Sequence, residues 1–335
     1  MLSVLTQLPP GLLEAAPTEL YRILQGPTLI HLPGQRPEPV LVSVLLHGNE
    51  DTGLRALQTV LSRHAGRQLP RALSLFIGNV AAARLAVRRL EEQPDYNRVW
   101  PGSVDPATPE HEMMARVVEE MRARRVFASV DIHNNSGLNP HYSCVSRLDP
   151  RALHLCLLFS RTVVHFERPL GVQVSAFNDL CPAVTLECGK PGAAESAEKA
   201  ADFMEGCLHL AEFPAHAPRP QDLDLYHTVA TVKIPPDVTF SFAGDHADLR
   251  LVPDLDHMNF RELAPRTFWG HVRAGSPRPL EVTDASGAGA FERFFTVKNS
   301  ELRLARTVMP AMLTLDERAI RQDCLCYLME RLVLP

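Results

Sequence analysis

Three short apolar runs, at residues 39–46, 126–132 and 183–186, alternate with stretches whose apolar positions recur every three or four residues, at 54–64, 110–124 and 194–211. A short apolar run without polar alternation suits a strand covered on both faces, and the intervening periodicity suits helices. Strands alternating with helices predict an α/β fold, with a mixed but mostly parallel sheet flanked by helices over residues 1–215. Pro214, Pro218 and Pro220 then interrupt the pattern. Short β-like segments follow at 228–234, 239–242 and 294–297, separated by Gly, Pro and Asp clusters. They predict a smaller β-rich domain over residues 216–335.

Each apolar run leads to ionisable residues, and that is where the chemistry is expected. The first delivers His47-Gly48-Asn49-Glu50, an imidazole and a carboxylate three positions apart. The second carries Asp131 and ends at His133. Two histidines and one Glu form a donor set that suits zinc, with a coordination position left for water. Asp131, two residues before His133 on an extended strand, leaves from the same face and can orient the imidazole; capping the strand end is the competing reading. Glu187 lies within the third candidate strand, residues 183–189. It can serve as a proton shuttle there, or pair with an arginine across the sheet.

In this order the motifs resemble the aspartoacylase and succinylglutamate desuccinylase branch of the zinc carboxypeptidase superfamily. His47-Gly48-Asn49-Glu50 with Asp51-Thr52-Gly53 resembles the branch's H-G-N-E-x-x-G, Asp131-Ile132-His133-Asn134 its D-[LI]-H-N, and Leu186-Glu187-Cys188-Gly189 its E-x-G strand. Between them Asn79, Arg88-Arg89 and Asp95-Tyr96-Asn97-Arg98 are similar to the branch's N-P, arginine and D-L-N-R segment. The resemblance covers residues 40 to 190. It implies one zinc ion per chain held by His47, Glu50 and His133, with Glu187 as general base and then acid. It also implies that Asn97 and Arg98 grip the substrate's free carboxylate, and that one of Arg88 and Arg89, Arg89 by preference, holds the oxyanion. The β-rich domain would narrow the mouth of the site and favour small acylated amino acids.

Two departures bear on the substrate. Asn79-Val80 stands where the branch has N-P, which alters a turn. The stretch Ser175-Ala176-Phe177-Asn178-Asp179 lacks the basic residue by which members specific for acetylated aspartate hold a second carboxylate. The expected activity is therefore zinc-dependent cleavage of an amide bond in an N-acylated amino acid or similar small carboxylate-bearing substrate. A carboxypeptidase acting on short peptides and a non-catalytic zinc-containing carboxylate-binding protein stand as alternatives. A metal-free α/β hydrolase is disfavoured, since no G-x-S-x-G elbow is present.

Composition narrows the partners. With 335 residues and 45% hydrophobic content the chain can bury a large core. A net charge of -5 gives no reason to expect nucleic acid. Pro9-Pro10 interrupts a start that lacks a basic n-region, so no signal peptide is expected, and no apolar run reaches membrane-spanning length. Seven scattered cysteines fit a reducing compartment, and a cytoplasmic location is expected. Cys181 and Cys188 read as small buried hydrophobes. A small-molecule substrate is the expected partner, with homo-oligomerisation left open.

Overall fold

The computed structural model describes residues 1–214, 216–243, 246–275 and 278–333, so the expected boundary at residue 215 falls outside the described residues. The chain divides into one unit of Met1–Asn134 with His141–Leu225 and a second of Asn135–Pro140 with Tyr226–Pro335.

In the first unit the strands are β1 (Ser3–Leu5), β2 (Thr28–Leu32), β3 (Gly34–Val44), β4 (Leu69–Ile77), β5 (Ala128–His133), β6 (Tyr142–Val145), β7 (Thr162–His165) and β8 (Ala183–Glu187), hydrogen-bonded in the order β1-β2-β4-β3-β5-β8-β6-β7. The helices are α1 (Thr52–Arg63), α2 (Val80–Arg84), α3 (Pro109–Ala123), α4 (Pro150–Leu157), α5 (Gln173–Ala176) and α6 (Ala194–His209). Strands β4, β3, β5 and β8 run parallel, whereas β2 is antiparallel to β4 and β6 antiparallel to β8. The sheet is thus mixed, which corrects the expectation of a mostly parallel one. Apolar runs report burial but not direction, and direction follows from the connections. Residues 134–141 are too few for a helical crossover, so β6 returns against β5 and β8.

Helix α1 buries Leu54, Leu57, Val60 and Leu61 along one stripe and exposes Arg55 and Arg63. Its first turn lies so close to the sheet that a Cβ on Gly53 would sit 2.8 Å from Val44 Cγ1 and 3.1 Å from Ile132 Cβ. Glycine is what lets the helix start directly above β3 and β5. Helix α3 begins at a capping box in which Thr108 and His111 satisfy each other's backbone groups, and His111 is half-buried there. The helix packs Met114, Val117, Val118 and Met121 with Leu29, Leu41, Phe76, Trp100 and Phe177 into one core.

The second unit contains β9 (Asp224–Lys233) apart from its first two residues, β10 (Phe240–Ser241), β11 (Leu249–Leu251), β12 (Phe268–Val272), β13 (Glu281–Asp284), β14 (Phe295–Lys298), β15 (Glu301–Leu304), β16 (Met309–Ala311) and β17 (Cys326–Arg331), with short helices α7 (Phe291–Phe294) and α8 (Glu317–Gln322). Apart from parallel β10/β11, its paired strands are antiparallel. Trp269 and Phe295, with ring centroids 5.0 Å apart, sit in its core with Phe294 and Leu302. No helix among the described residues is long and apolar enough to cross a membrane.

Arg71 is a buried cation that joins three elements of the first unit. From β4 its Nη1 donates to Glu38 O of β3 and its Nη2 to Leu210 O just beyond α6, while its guanidinium lies 3.6 Å from the centroid of the Phe127 ring. Arg71→Met keeps the apolar stem and orphans these carbonyls. Since each unpaired buried group costs roughly 1–3 kcal/mol, a loss of about 2–4 kcal/mol in urea unfolding is expected.

His31 of β2 supplies a pH dependence. Its Nδ1 lies 2.8 Å from Ser74 Oγ, and burial followed by the nearby Arg124 guanidinium lowers its pKa to about 4. The native state therefore resists a proton that the unfolded chain accepts below its ordinary pKa of about 6.5. Stability from this source is present above about pH 6.5 and is lost as pH falls toward 4. His31→Gln should show a shallower acid-side loss of stability in urea titrations across that window.

Candidate active site

The carboxyl ends of β3, β5 and β8 lie side by side, the edge at which open α/β sheets place their chemistry. Strand β3 ends at Val44 rather than running on to His47, because Leu45 turns into the left-handed region with φ 55°. That conformation costs a non-glycine residue about 1–2 kcal/mol. It is held by Gly78 N donating to Val44 O and Asn79 N donating to Leu45 O. The turn delivers His47 and Glu50 beyond the sheet edge. His133 is the last residue of β5, and Glu187, the last of β8, is its register partner.

His47, Glu50 and His133 are buried and converge. His47 Nδ1 lies 2.9 Å from Glu50 Oε1, His133 Nδ1 lies 2.7 Å from Glu50 Oε2, and the two Nδ1 atoms are 3.2 Å apart. The far nitrogen of each ring faces a carboxylate: His47 Nε2 is 2.9 Å from Asp95 Oδ1 and His133 Nε2 is 2.7 Å from Asp131 Oδ2. A carboxylate accepts and does not donate, so a ring that gives its Nδ1 lone pair to an ion keeps its proton on Nε2, where the carboxylate behind it accepts. Both Nδ1 atoms point, with the Glu50 carboxylate, at one another. Three acceptors facing inward in a dry site form a donor set that a divalent cation satisfies, and His/His/Glu suits zinc.

The carboxylates around the two rings favour positive charge at this point. Burial and Arg88 push the His47 pKa down, but Glu50 and Asp95 outweigh them and the net shift is upward. His133 is raised well above its ordinary value, with Asp131 and Glu50 overcoming burial. Burial alone would raise the Glu50 and Asp95 carboxyls; their histidine neighbours, and Arg88 for Asp95, hold both below the usual carboxylate range.

Asp95 is the residue that the motif reading quoted without a role. Its Oδ1 accepts from Asn97 N as well as facing His47, and its Oδ2 accepts from Arg88 Nε and Nη2 at 3.2 and 2.9 Å. The signal was available in sequence, an Asp two residues before the Asn-Arg pair, but its partner His47 lies 48 residues away. Of the two candidate arginines, Arg88 faces the cluster, with Nη1 3.7 Å from Glu50 Oε1. Arg89 Nη1 donates to Gln93 O within its own loop. The Arg88 segment is tied to the His47 loop by Gly48 N donating to Arg88 O, and a Cβ on Gly48 would lie 2.2 Å from Ala83 N.

Asn97 lies beneath His133. Its Nδ2 donates to the same Asp131 oxygen that His133 faces, at 3.1 Å, and its Oδ1 accepts from Gln173 N, so both ends of the amide are engaged within the protein. Arg98 Nη1 donates to Asn97 O. Asn134 braces the other side: its backbone N donates to Glu50 Oε2, its Oδ1 accepts from Thr52 N, and its Nδ2 donates to Thr52 Oγ1 and Gly189 O. Burial raises the thiol pKa of both Cys181 and Cys188, so neither offers a thiolate. The stretch 175–179, without a basic residue of its own, receives Arg147, which donates to Asn178 O and Asp179 Oδ1.

A family model for the succinylglutamate desuccinylase/aspartoacylase catalytic domain matches residues 38–210, more than half of the chain. The chain belongs to this family. It is a family of deacylating hydrolases, and its matched segment contains every residue of the cluster. Solved structures share the fold at low identity. Succinylglutamate desuccinylase from Chromobacterium violaceum is 18% identical with a TM-score of 0.58, covering 89% of this chain and 86% of its own. Murine aminoacylase 3 is 16% identical with a TM-score of 0.59, covering 90% and 97%. The ectoine utilization protein EutE (DoeB) from Ruegeria pomeroyi is 14% identical with a TM-score of 0.55, covering 91% and 88%. No curated protein sequence matches significantly.

The carboxylates behind the histidines generate a prediction for this family member. Asp131→Asn replaces the charged acceptor behind His133 by a neutral amide while preserving shape. Zinc affinity measured by competition with a chromophoric chelator should fall roughly 10–100-fold, with the far-ultraviolet spectrum unchanged.

Proposed function

We propose that the protein is a zinc-dependent amidohydrolase that cleaves the amide bond of an N-acylated amino acid, or a similar small substrate with a free carboxylate, as a member of the zinc carboxypeptidase superfamily. The observation that carries this reading is the inward convergence of His47 Nδ1, His133 Nδ1 and the Glu50 carboxylate, with a further carboxylate, Glu187, on the adjoining strand. Zinc bound by these three residues supplies a Lewis acid for the scissile carbonyl and lowers the pKa of the attacking water.

The remaining steps fall to the chain. Glu187 is buried, at 7% exposure, and next to His133 in register; it takes a proton from the attacking water and hands it to the leaving amine. Arg88 stabilises the oxyanion in preference to Arg89, because its guanidinium is held toward Glu50 by Asp95 whereas Arg89 is bound to its own loop. Arg98 grips the substrate carboxylate, for which a guanidinium fork provides two parallel charge-assisted bonds. Asn97, with its amide engaged, supports that grip by fixing Asp131 beneath His133. Residues 1–215 carry these roles.

The first test combines metal content with turnover. Zinc content should fall by about one ion per chain in His133→Ala, and Glu187→Gln should retain zinc while turnover drops on the order of 10²–10⁴-fold. Normal turnover in the Gln variant, or no zinc in wild-type protein prepared without chelator, would refute the mechanism. A panel of N-acyl amino acids beside di- and tripeptides then separates deacylase from carboxypeptidase.

A further inference from the structure

We propose that His64, Glu205 and His209 form a second divalent-metal site of the zinc, nickel or copper class, which clasps the end of α1 to the end of α6. Glu205 and His209 lie one turn apart on α6, and His64 is the residue that caps α1. His64 Nε2 is 2.9 Å from Glu205 Oε2, and His209 Nε2 is 3.9 Å from the same oxygen. One ligand atom from each residue lies within 4.8 Å of the others. Two imidazoles from different helices are thus aimed at one carboxylate.

Metal–nitrogen and metal–oxygen bonds of about 2.0–2.2 Å in a tetrahedral site put donor atoms roughly 3.3 Å apart. The separations of 2.9 and 3.9 Å bracket that value. Closing the set takes about 1 Å of movement in His209, whose side chain is 65% exposed and can make it by a small rotation, while His64 and Glu205 are largely covered.

A second observation also favours a cation. His64 stands at the C-terminal end of α1 and His209 at the C-terminal end of α6, and each end carries the partial negative charge of the helix dipole. Charged neighbours are engaged elsewhere: Arg63 donates to Asp202, and Arg71 to the carbonyls of Leu210 and Ala211. Imidazole donors select borderline transition ions over magnesium or calcium, which require oxygen cages. The remaining coordination positions open to water.

The site is distinct from the active centre. Glu50 precedes the first turn of α1, whereas His64 follows its last, about 18 Å along the axis. An ion bound there holds together two helices that pack on the sheet and stabilises the native state in proportion to its occupancy.

Zinc alone is the probe. Calorimetric titration of His133→Ala, in which the active-centre set is broken, should show saturable binding of about one Zn2+ per chain and a rise of a few degrees in melting temperature. Both effects should vanish in His133→Ala/His64→Ala/His209→Ala. No saturable binding in the single variant, or unchanged binding in the triple variant, overturns the proposal. Where His133→Ala does not fold, zinc content of otherwise wild-type protein after dialysis against micromolar zinc gives the answer. His64→Ala/His209→Ala should lose one ion per chain at unchanged hydrolytic turnover; equal zinc content in the two proteins overturns the site.

Discussion

The pairing of each cluster histidine with its own carboxylate, Asp95 behind His47 and Asp131 behind His133, is the constraint on which the rest of the site depends. A buried imidazole has two nitrogens, and which one carries the proton decides whether the other can serve as a ligand. By engaging both Nε2 atoms the carboxylates turn both Nδ1 atoms toward Glu50. Neither histidine can turn away without breaking a short contact in a dry environment, where an unpaired polar group is costly. The geometry of the His47, Glu50 and His133 donors is therefore set by hydrogen bonds of the protein itself, which is the meaning of preorganisation here.

Those carboxylates are themselves held by neighbouring side chains and backbone. Asp95 accepts from Arg88 and from Asn97 N, and Asp131 accepts from Asn97 Nδ2. Asn134 closes the frame by linking Glu50, the first turn of α1 and the residues after β8. The residues proposed to grip the substrate and those proposed to hold the metal thus share hydrogen bonds, so a substitution at Asp95 acts on both sets at once. Strain at Leu45 belongs to the same frame, because the turn away from β3 is what lifts His47 to the point where β5 delivers His133.

The central strands and the principal helices were legible because their signals are local. The apolar runs appear as β3, β5 and β8, and the periodic stretches as α1, α3 and α6, with ends displaced by a few residues. His47, Glu50, His133 and Glu187 stood out because an ionisable residue at the end of an apolar run is conspicuous against its surroundings, and the structure brings the two histidines and Glu50 together. Strand direction was not legible. It depends on how far each connection reaches, and the short segments before β3 and β6 force reversals that composition does not record.

The chain's own order of residues determined which elements are buried, which ionisable groups reach the sheet edge and, through its motifs, the family to which it belongs. Only the tertiary structure decided which of two neighbouring arginines faces the cluster, that Asp95 rather than a nearer group braces His47, and that His64 meets Glu205 and His209. The reason is physical. Burial and periodicity are properties of a stretch of chain, whereas a side chain's partner depends on the loop that aims it and on groups tens of residues away that compete for its hydrogen bonds.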